Sequence, residues 1–393
     1  MKWIAKFAPW IIVLHVICLS SWAQQPGFDT SLVQTLVNRI SQLQVARDEY
    51  FHPGMFPSFR EYSPKKTRIK KDENIFFTGI IVFTLRSLQP DLDPYSSQLC
   101  DSIFSRAAPN YIRYKNTKGR PSFNFWRKDP PEIFPNGGWL NLFNKSKALA
   151  DDLDDTAITL MAADCSKSDA TQVHRLMQAY TNNARKQVKN SLPVYKNIGA
   201  YSTWFGEKMP VELDVCVLAN ALLMVHAYDI SYSPADSATL RFICQVVAQR
   251  HYITHPTLVS ANYNRAPVIM YHISRLMAAE HIPQLEELKP QLIADARQCY
   301  ARSGNFLDKI MLSTSLLRWG AKPPQDTLQI KQNLWQFTEN NRFVFFIANI
   351  GGGLPRSINN WLLKTGISKF NYYSPAWNNT LLLENLVWAK KRL

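Results

Sequence analysis

Apolar residues recur at helical spacing through most of this chain, and that limits the folds open to it more than any other feature. Leu32, Leu36, Ile40 and Leu43 form the first such stripe. The same periodicity predicts helices over 75–87, 95–105, 155–163, 171–188, 213–227, 236–250, 267–279, 285–302, 306–319, 327–339 and 380–390. Period-two alternation of β-branched residues is scarce. About a dozen helices with no strong strands predict an all-α fold. Connections after Asp155 are short, which suits antiparallel helix pairs laid side by side.

The amino terminus reads differently. Lys2 and Lys6 precede an apolar run over 7–19, broken only by Pro9 and His15, and Ser21-Trp22-Ala23 offers a small-x-small cleavage site. Residues 1–23 are expected to be a secretory signal peptide, and the protein to be exported, periplasmic or extracellular. The run is short for a spanning helix, which needs roughly 20 residues, and no later segment qualifies. Residues 24–393 show no clean linker and are read as a single domain. An apolar content of 46% supports a sizeable core. Of the six cysteines, Cys100, Cys165, Cys216, Cys244 and Cys299 follow the leader, and an odd, widely spaced set is no disulfide framework.

A net charge of +15 favours anionic partners, including a membrane surface. The basic residues are dispersed, however. Only residues 65–71 form a cluster, with no nucleic-acid motif around it, so no nucleic-acid partner is expected. Gly351-Gly352-Gly353 reads as a turn, since no strand precedes it as a phosphate loop requires. No cofactor is expected.

Two long stretches, 51–72 and 109–149, interrupt the helical rhythm. Both are rich in Pro, Gly, Asn, aromatic and basic residues, and structureless segments of that length tend to be functional. The second carries Tyr111, Tyr114, Phe123, Phe125, Trp126, Phe134, Trp139 and Phe143. Rings in that number predict a cover packed over an opening in the helical body. This segment runs directly into Asp151, Asp152, Asp154 and Asp155, four aspartates at the start of a predicted helix. Two accounts of them are open. Aspartates cap helices and complement the positive end of the dipole. Crowded carboxyls also raise one another's pKa, so that one can hold a proton at neutral pH and act as an acid.

Asp152-Leu153-Asp154-Asp155-Thr156-Ala157 resembles the DxDDTA signature of class II terpene cyclases, the group that includes squalene–hopene cyclase. Trp204-Phe205, followed by Asp214-Val215-Cys216-Val217-Leu218-Ala219-Asn220-Ala221-Leu222, is similar to the D-x-x-V-x-A-N-x-L pattern of bacterial squalene-cyclase-like proteins. Tyr373-Ser374-Pro375-Ala376 with Thr380 resembles their closing Y-x-SP-x-x-T helix. The resemblance runs from about residue 120 to the end. It implies an α/α toroid, two concentric layers of about six helices each. It also implies a protonation-initiated isoprenoid cyclase or isomerase in which Asp154 is the acid and Asp152 and Asp155 tune it.

Such chemistry makes a carbocation, which aromatic faces stabilise by ~0.5–2 kcal/mol per ring without attacking it. Trp126, Trp139, Tyr201, Trp204, Phe205, Tyr372, Tyr373 and Trp377 are candidates for these walls. The full set of expected ligand-contacting residues is Asp151, Trp126, Trp139, Trp204, Phe205, Asp214, Asn220 and Tyr373, around a hydrophobic small molecule or lipid. Asn220 has a structural alternative, since a buried amide must find partners and can tie two helices together.

The chain departs from characterised class II cyclases in three respects. It is long enough for one toroid where they use two, it lacks their tryptophan–glutamine repeats, and its leader implies export. Two other chemistries fit the sequence less well. Asp214, Cys216 and His272 imitate the zinc set of protein prenyltransferases, yet positions two apart on a helix do not share a face. A glycosidase needs two carboxyls roughly 5–10 Å apart across a cleft, which one cluster supplies poorly. A toroid that binds a lipid, glycan or peptide without catalysis is the remaining alternative.

Overall fold

Helices that are apolar all round belong between layers, and those with one apolar stripe belong outside. The computed structural model sorts this chain accordingly. It describes residues 30–65, 68–128, 130–131, 149–324, 330–340, 342–349 and 356–392. In chain order the helices are α1 (Thr30–Leu43), α2 (Ile75–Leu88), α3 (Pro94–Ala107), α4 (Leu153–Ala162), α5 (Lys167–Gln178), α6 (Val215–Ala227) and α7 (Pro234–Ala248). After the single turns α8 (His251–Thr254) and α9 (Pro256–Val259) come α10 (Ala266–Ala279), α11 (Pro283–Arg302), α12 (Phe306–Arg318), α13 (Ile330–Thr338), α14 (Arg356–Thr365) and α15 (Pro375–Lys391).

Helices α2, α4, α6, α10, α12 and α15 pack each on the next, and α15 returns to α2, so they close a ring. Every residue of α4 is buried, as are Val215–Val225 of α6. Around this ring lie α1, α3, α5, α7, α11 and α13, each against inner helices and with one apolar face. Val33, Leu36, Val37 and Ile40 of α1 are such a face. The result is the expected α/α toroid of two concentric layers. Gly79 lets α2 lie close to α4, since a Cβ there would stand 3.3 Å from the Ile158 side chain.

Three expectations are corrected. First, the fold carries a small antiparallel sheet in the order β2-β1-β4-β3, built from Phe59–Tyr62 (β1), Ile69–Lys71 (β2), Phe346–Asn349 (β3) and Lys369–Tyr373 (β4). Strands of three to five residues are too short to print an alternation, and β1 pairs with β4 from the far end of the chain. Segment 51–72 is therefore partly sheet. Second, the helix expected over 171–188 ends at Gln178. Asn182 then holds a loop, donating to the carbonyls of Lys196 and Ile198, and Asn183 takes a left-handed φ of 72°. Third, α14 had no counterpart in the periodicity.

The five described cysteines are free thiols. Among the described residues, no helix is long and apolar enough to cross a membrane. The leader over 1–23, Trp139 and Gly351-Gly352-Gly353 all lie outside the described residues.

Candidate functional site

The aspartate cluster sits where the chain enters the inner ring. Leu153 N–H donates to the Thr203 carbonyl (2.8 Å) and Phe205 N–H to the Asp151 carbonyl (3.0 Å), pairing 151–153 with 203–205 as a short bridge. Asp152 then caps α4, its Oδ1 accepting the Asp155 N–H at 2.7 Å. Thr156 Oγ1 accepts the Phe123 N–H at 3.0 Å, which ties the aromatic segment to the same helix turn. Capping and acid placement are thus one arrangement. The cap fixes the turn on which Asp154 and Asp155 stand.

Asp152, Asp154 and Asp155 together line a cavity of about 430 Å³. Its walls are mostly apolar and include the rings of Phe76, Phe125, Trp126, Trp204, Tyr263, Phe346 and Tyr372. Thr203, Glu212, Asn262 and Asn349 supply the remaining polar edges. Among the described residues no lysine or arginine lines it. The volume lies within the range of small-molecule sites.

Asp154 is 6% exposed. Its Oδ1 accepts from Asn220 Nδ2 at 2.7 Å, and its Oδ2 accepts from the Tyr263 hydroxyl at 2.5 Å. Asn220 is held in turn by Arg275, which donates to its Oδ1 at 2.6 Å. Burial raises the Asp154 pKa above its ordinary value, while Asn220, Tyr263 and the Arg275 charge pull it back. Burial likewise pushes Asp152 up to about 7, with the charges of Asp154 and Asp151 adding to it. Asp155 is raised well above the carboxylate range by burial, by the Asp152 charge and by the hydrogen bond the two side chains share. The shift favours a protonated Asp155 that donates to Asp152. Two carboxyls this close do not both ionise.

The other expected residues divide. Trp126 and Trp204 line the cavity, Trp126 fixed by its indole N–H on Asp72 Oδ1 at 3.0 Å. Asp151 stands outside it, accepting from Ser122 Oγ (2.7 Å) and Lys128 Nζ (3.0 Å) to anchor the aromatic segment. Phe205 turns away and meets Tyr180 edge-on at 5.7 Å. Asn220 stands behind Asp154 and joins α4, α6 and α10. Asp214 caps α6 and accepts from Ser260 Oγ (2.6 Å) and the Asn262 N–H (2.8 Å). Tyr373 stacks on Phe59 at 5.4 Å on the opposite side of β4. Side chains alternate along a strand, so its neighbour Tyr372 is the one that faces the cavity. Tyr201 bonds Asp236 at 2.9 Å and Trp377 packs on Phe345, both away from it. Among the described residues no three His, Cys, Asp or Glu side chains gather as a metal site. Of the zinc-like trio, His272 Nδ1 instead bonds the Val268 carbonyl.

Tyr263, Glu212 and Arg275 escaped the sequence reading. Tyr263 lies in a polar loop before α10, Glu212 is a lone acid, and Arg275 is a single charge in a helix. None carries a local pattern, and only the ring closure brings them to α4.

No family model matches the sequence, and no curated protein does. Among solved structures, the chain is similar to a variant of the type II terpene cyclase MstE from Scytonema, in complex with its substrate geranylgeranyl dihydroxybenzoate. Identity is 13%, the match covers 93% of this chain and 99% of that one, and the TM-score is 0.53. The fold is therefore that of a terpenoid cyclase. The near-complete cover also removes one departure noted above, because a type II cyclase can have the length of this chain.

Proposed function

We propose that this protein is a protonation-initiated isoprenoid cyclase or isomerase in which Asp154 is the acid. The observation that carries the reading is a wall of three buried carboxyls facing an apolar, ring-lined cavity. Asp154 would give its proton to a terminal alkene, and the electron pair of that double bond would form the new C–H bond. The carbocation would be held against the faces of Phe76, Trp126, Trp204, Phe346 and Tyr372. Asp155 keeps Asp152 partly neutralised, which limits the negative charge opposing release of the Asp154 proton's electron pair onto its own oxygens. Asn220 and Tyr263 favour the carboxylate that remains, so they strengthen the acid.

The test is incubation of the purified protein with squalene, geranylgeranyl diphosphate and an uncharged geranylgeranylated phenol, alongside Asp154→Asn. A cyclised product from the native protein alone supports the acid role. The same product from both removes it. Binding of lipid by both with no product favours the non-catalytic toroid.

Two further expectations belong with this reading. Export follows from the leader, and N-terminal sequencing of secreted protein beginning after Ala23 tests it. An exported cyclase would draw its lipid from a bilayer. Exposed Ile358, Trp361 and Ile367, with Lys364 and with Lys65 and Arg68 in the adjoining turn, fit an anionic leaflet. Trp361→Ser is expected to weaken co-sedimentation with phosphatidylglycerol vesicles, and unchanged sedimentation would reject that surface.

A further inference from the structure

The aspartates explain how a carbocation could begin in this cavity, but a cyclisation must also end. We infer that Glu212 is the base that ends it, an inference that rests on the cyclase reading. Glu212 is the cavity carboxyl outside the aspartate cluster. Its backbone carbonyl accepts the Thr203 N–H at 3.0 Å, and Thr203 is the residue whose own carbonyl holds Leu153. Glu212 is thus joined to the 151–153 segment through Thr203, and it lines the same cavity as Asp154. Acid and base thus share one cavity of about 430 Å³, in which a carbocation formed at Asp154 can meet Glu212.

Its chemistry suits the task. Asp152 is committed to the α4 cap and to Asp155, whereas Glu212 is held by neutral donors, Asn262 Nδ2 at 2.8 Å on Oε1 and the Trp204 side chain. The charged groups facing it are Asp214 and Asp152, with Asp154 and Asp155 on the same wall. Burial and the Asp214 charge push its pKa up to about 7, so it is part carboxylate at neutral pH. A base is most useful with a pKa near the working pH.

The step balances within the molecule. A C–H bond beside the cationic carbon breaks, its electron pair becomes a C=C bond, and the proton passes to a Glu212 oxygen. Asp154 gives one proton and Glu212 takes one, so the sum is an isomerisation with no co-reactant. Trp204, which donates to Glu212 and lines the same wall, would hold the cation within reach of the carboxylate.

The experiment has two arms. The first measures binding of a geranylgeranyl trimethylammonium salt, a cation whose charge does not titrate, between pH 5.5 and 8.5. Native protein is expected to bind it roughly tenfold more tightly at the upper end, as the cavity carboxyl ionises. Asp152 titrates in the same window, so Glu212→Gln should lose about half of that gain and Glu212→Asp should keep it. A Glu212→Gln curve that follows the native one, with native thermal unfolding, overturns the inference. The second arm follows products from a substrate that the native protein cyclises. Glu212→Gln should still consume it but release a mixture of double-bond isomers and alcohols, and an unchanged single product also overturns the inference. If native protein makes no product, the cyclase reading fails by itself, while the ammonium arm still reads whether Glu212 faces a bound cation.

Discussion

Two buried carboxyls in this toroid are built almost alike, and their difference sets a charge-paired carboxyl apart from the one proposed as the acid. In one, Glu384 of α15 accepts the Tyr271 hydroxyl at 2.6 Å and is in direct contact with the Arg318 guanidinium. In the other, Asp154 of α4 accepts the Tyr263 hydroxyl at 2.5 Å, but its second partner is the Asn220 amide. The nearest cation, Arg275, stands one residue further back. Glu384 has its counter-charge beside it, and breaking such a pair is expensive. Asp154 has only neutral donors in contact and faces a cavity. In the proposed role, separation of the cation by one amide would leave the proton of Asp154 available without leaving its carboxylate unsupported.

The largest expected effect tests the chemical half. Asp154→Asn keeps the size of the side chain and removes the acid, so cyclisation should fall by about 10³-fold or more, at the upper end of general acid catalysis. Product formation by gas chromatography reads it, with thermal unfolding within a few degrees of native. Glu384→Ala tests the structural half. It strands Arg318 in the interior and should destabilise the fold by about 3–5 kcal/mol, measured by urea unfolding. Were Glu384→Ala to leave stability unchanged, the contrast between the two sites would be lost.

The pH response should belong to one side only. Asp152 and Asp155 have folded-state pKa values above the ordinary 3.8, Asp152 at about 7. Ionising them therefore opposes folding. Stability is full below about pH 4 and declines as pH rises through about 7, by up to about 4 kcal/mol for Asp152 taken alone. Asp155→Asn can still donate to Asp152 but does not itself titrate. It should flatten the fall in melting temperature between pH 5 and 8 and stabilise the protein at pH 8 by about 1–3 kcal/mol. A slope equal to that of the native protein would mean that the pair is not the source.

How much of this was legible in the sequence depends on distance along the chain. The inner ring printed itself, because helices such as α6 are buried on every side and read as apolar runs. The acid turn printed itself too, since Asp152, Asp154 and Asp155 are adjacent and resemble a known signature. Of their more distant partners, Asn220 was legible inside its helix but Tyr263 and Arg275 were not. Tyr263 reaches Asp154 across 109 positions and Arg275 reaches Asn220 across 55, so nothing local marks them. Tyr373 shows a finer limit. The β4 segment was legible as an aromatic pair, but which ring faces the cavity depends on a strand register set by β1, some 300 residues earlier. A one-residue choice in a strand reverses the face.

The smallest expected effect probes Tyr263 itself. Tyr263→Phe keeps the ring and its contacts with His272 (4.9 Å) and Phe345 (5.6 Å), and removes only the hydroxyl on Asp154. That hydroxyl donates, so it favours the carboxylate left after the proton has gone, and its contribution grows as the alkene is protonated. Without it the Asp154 pKa should rise further, making a weaker acid. The plateau rate should fall about tenfold, the equivalent of one hydrogen bond of about 1.4 kcal/mol. The alkaline limb, where Asp154 loses its proton before substrate can take it, should move to higher pH. A limb that moves to lower pH would show that the hydroxyl stabilises the protonated acid instead, and Tyr263 would then belong with Tyr271 as part of the frame.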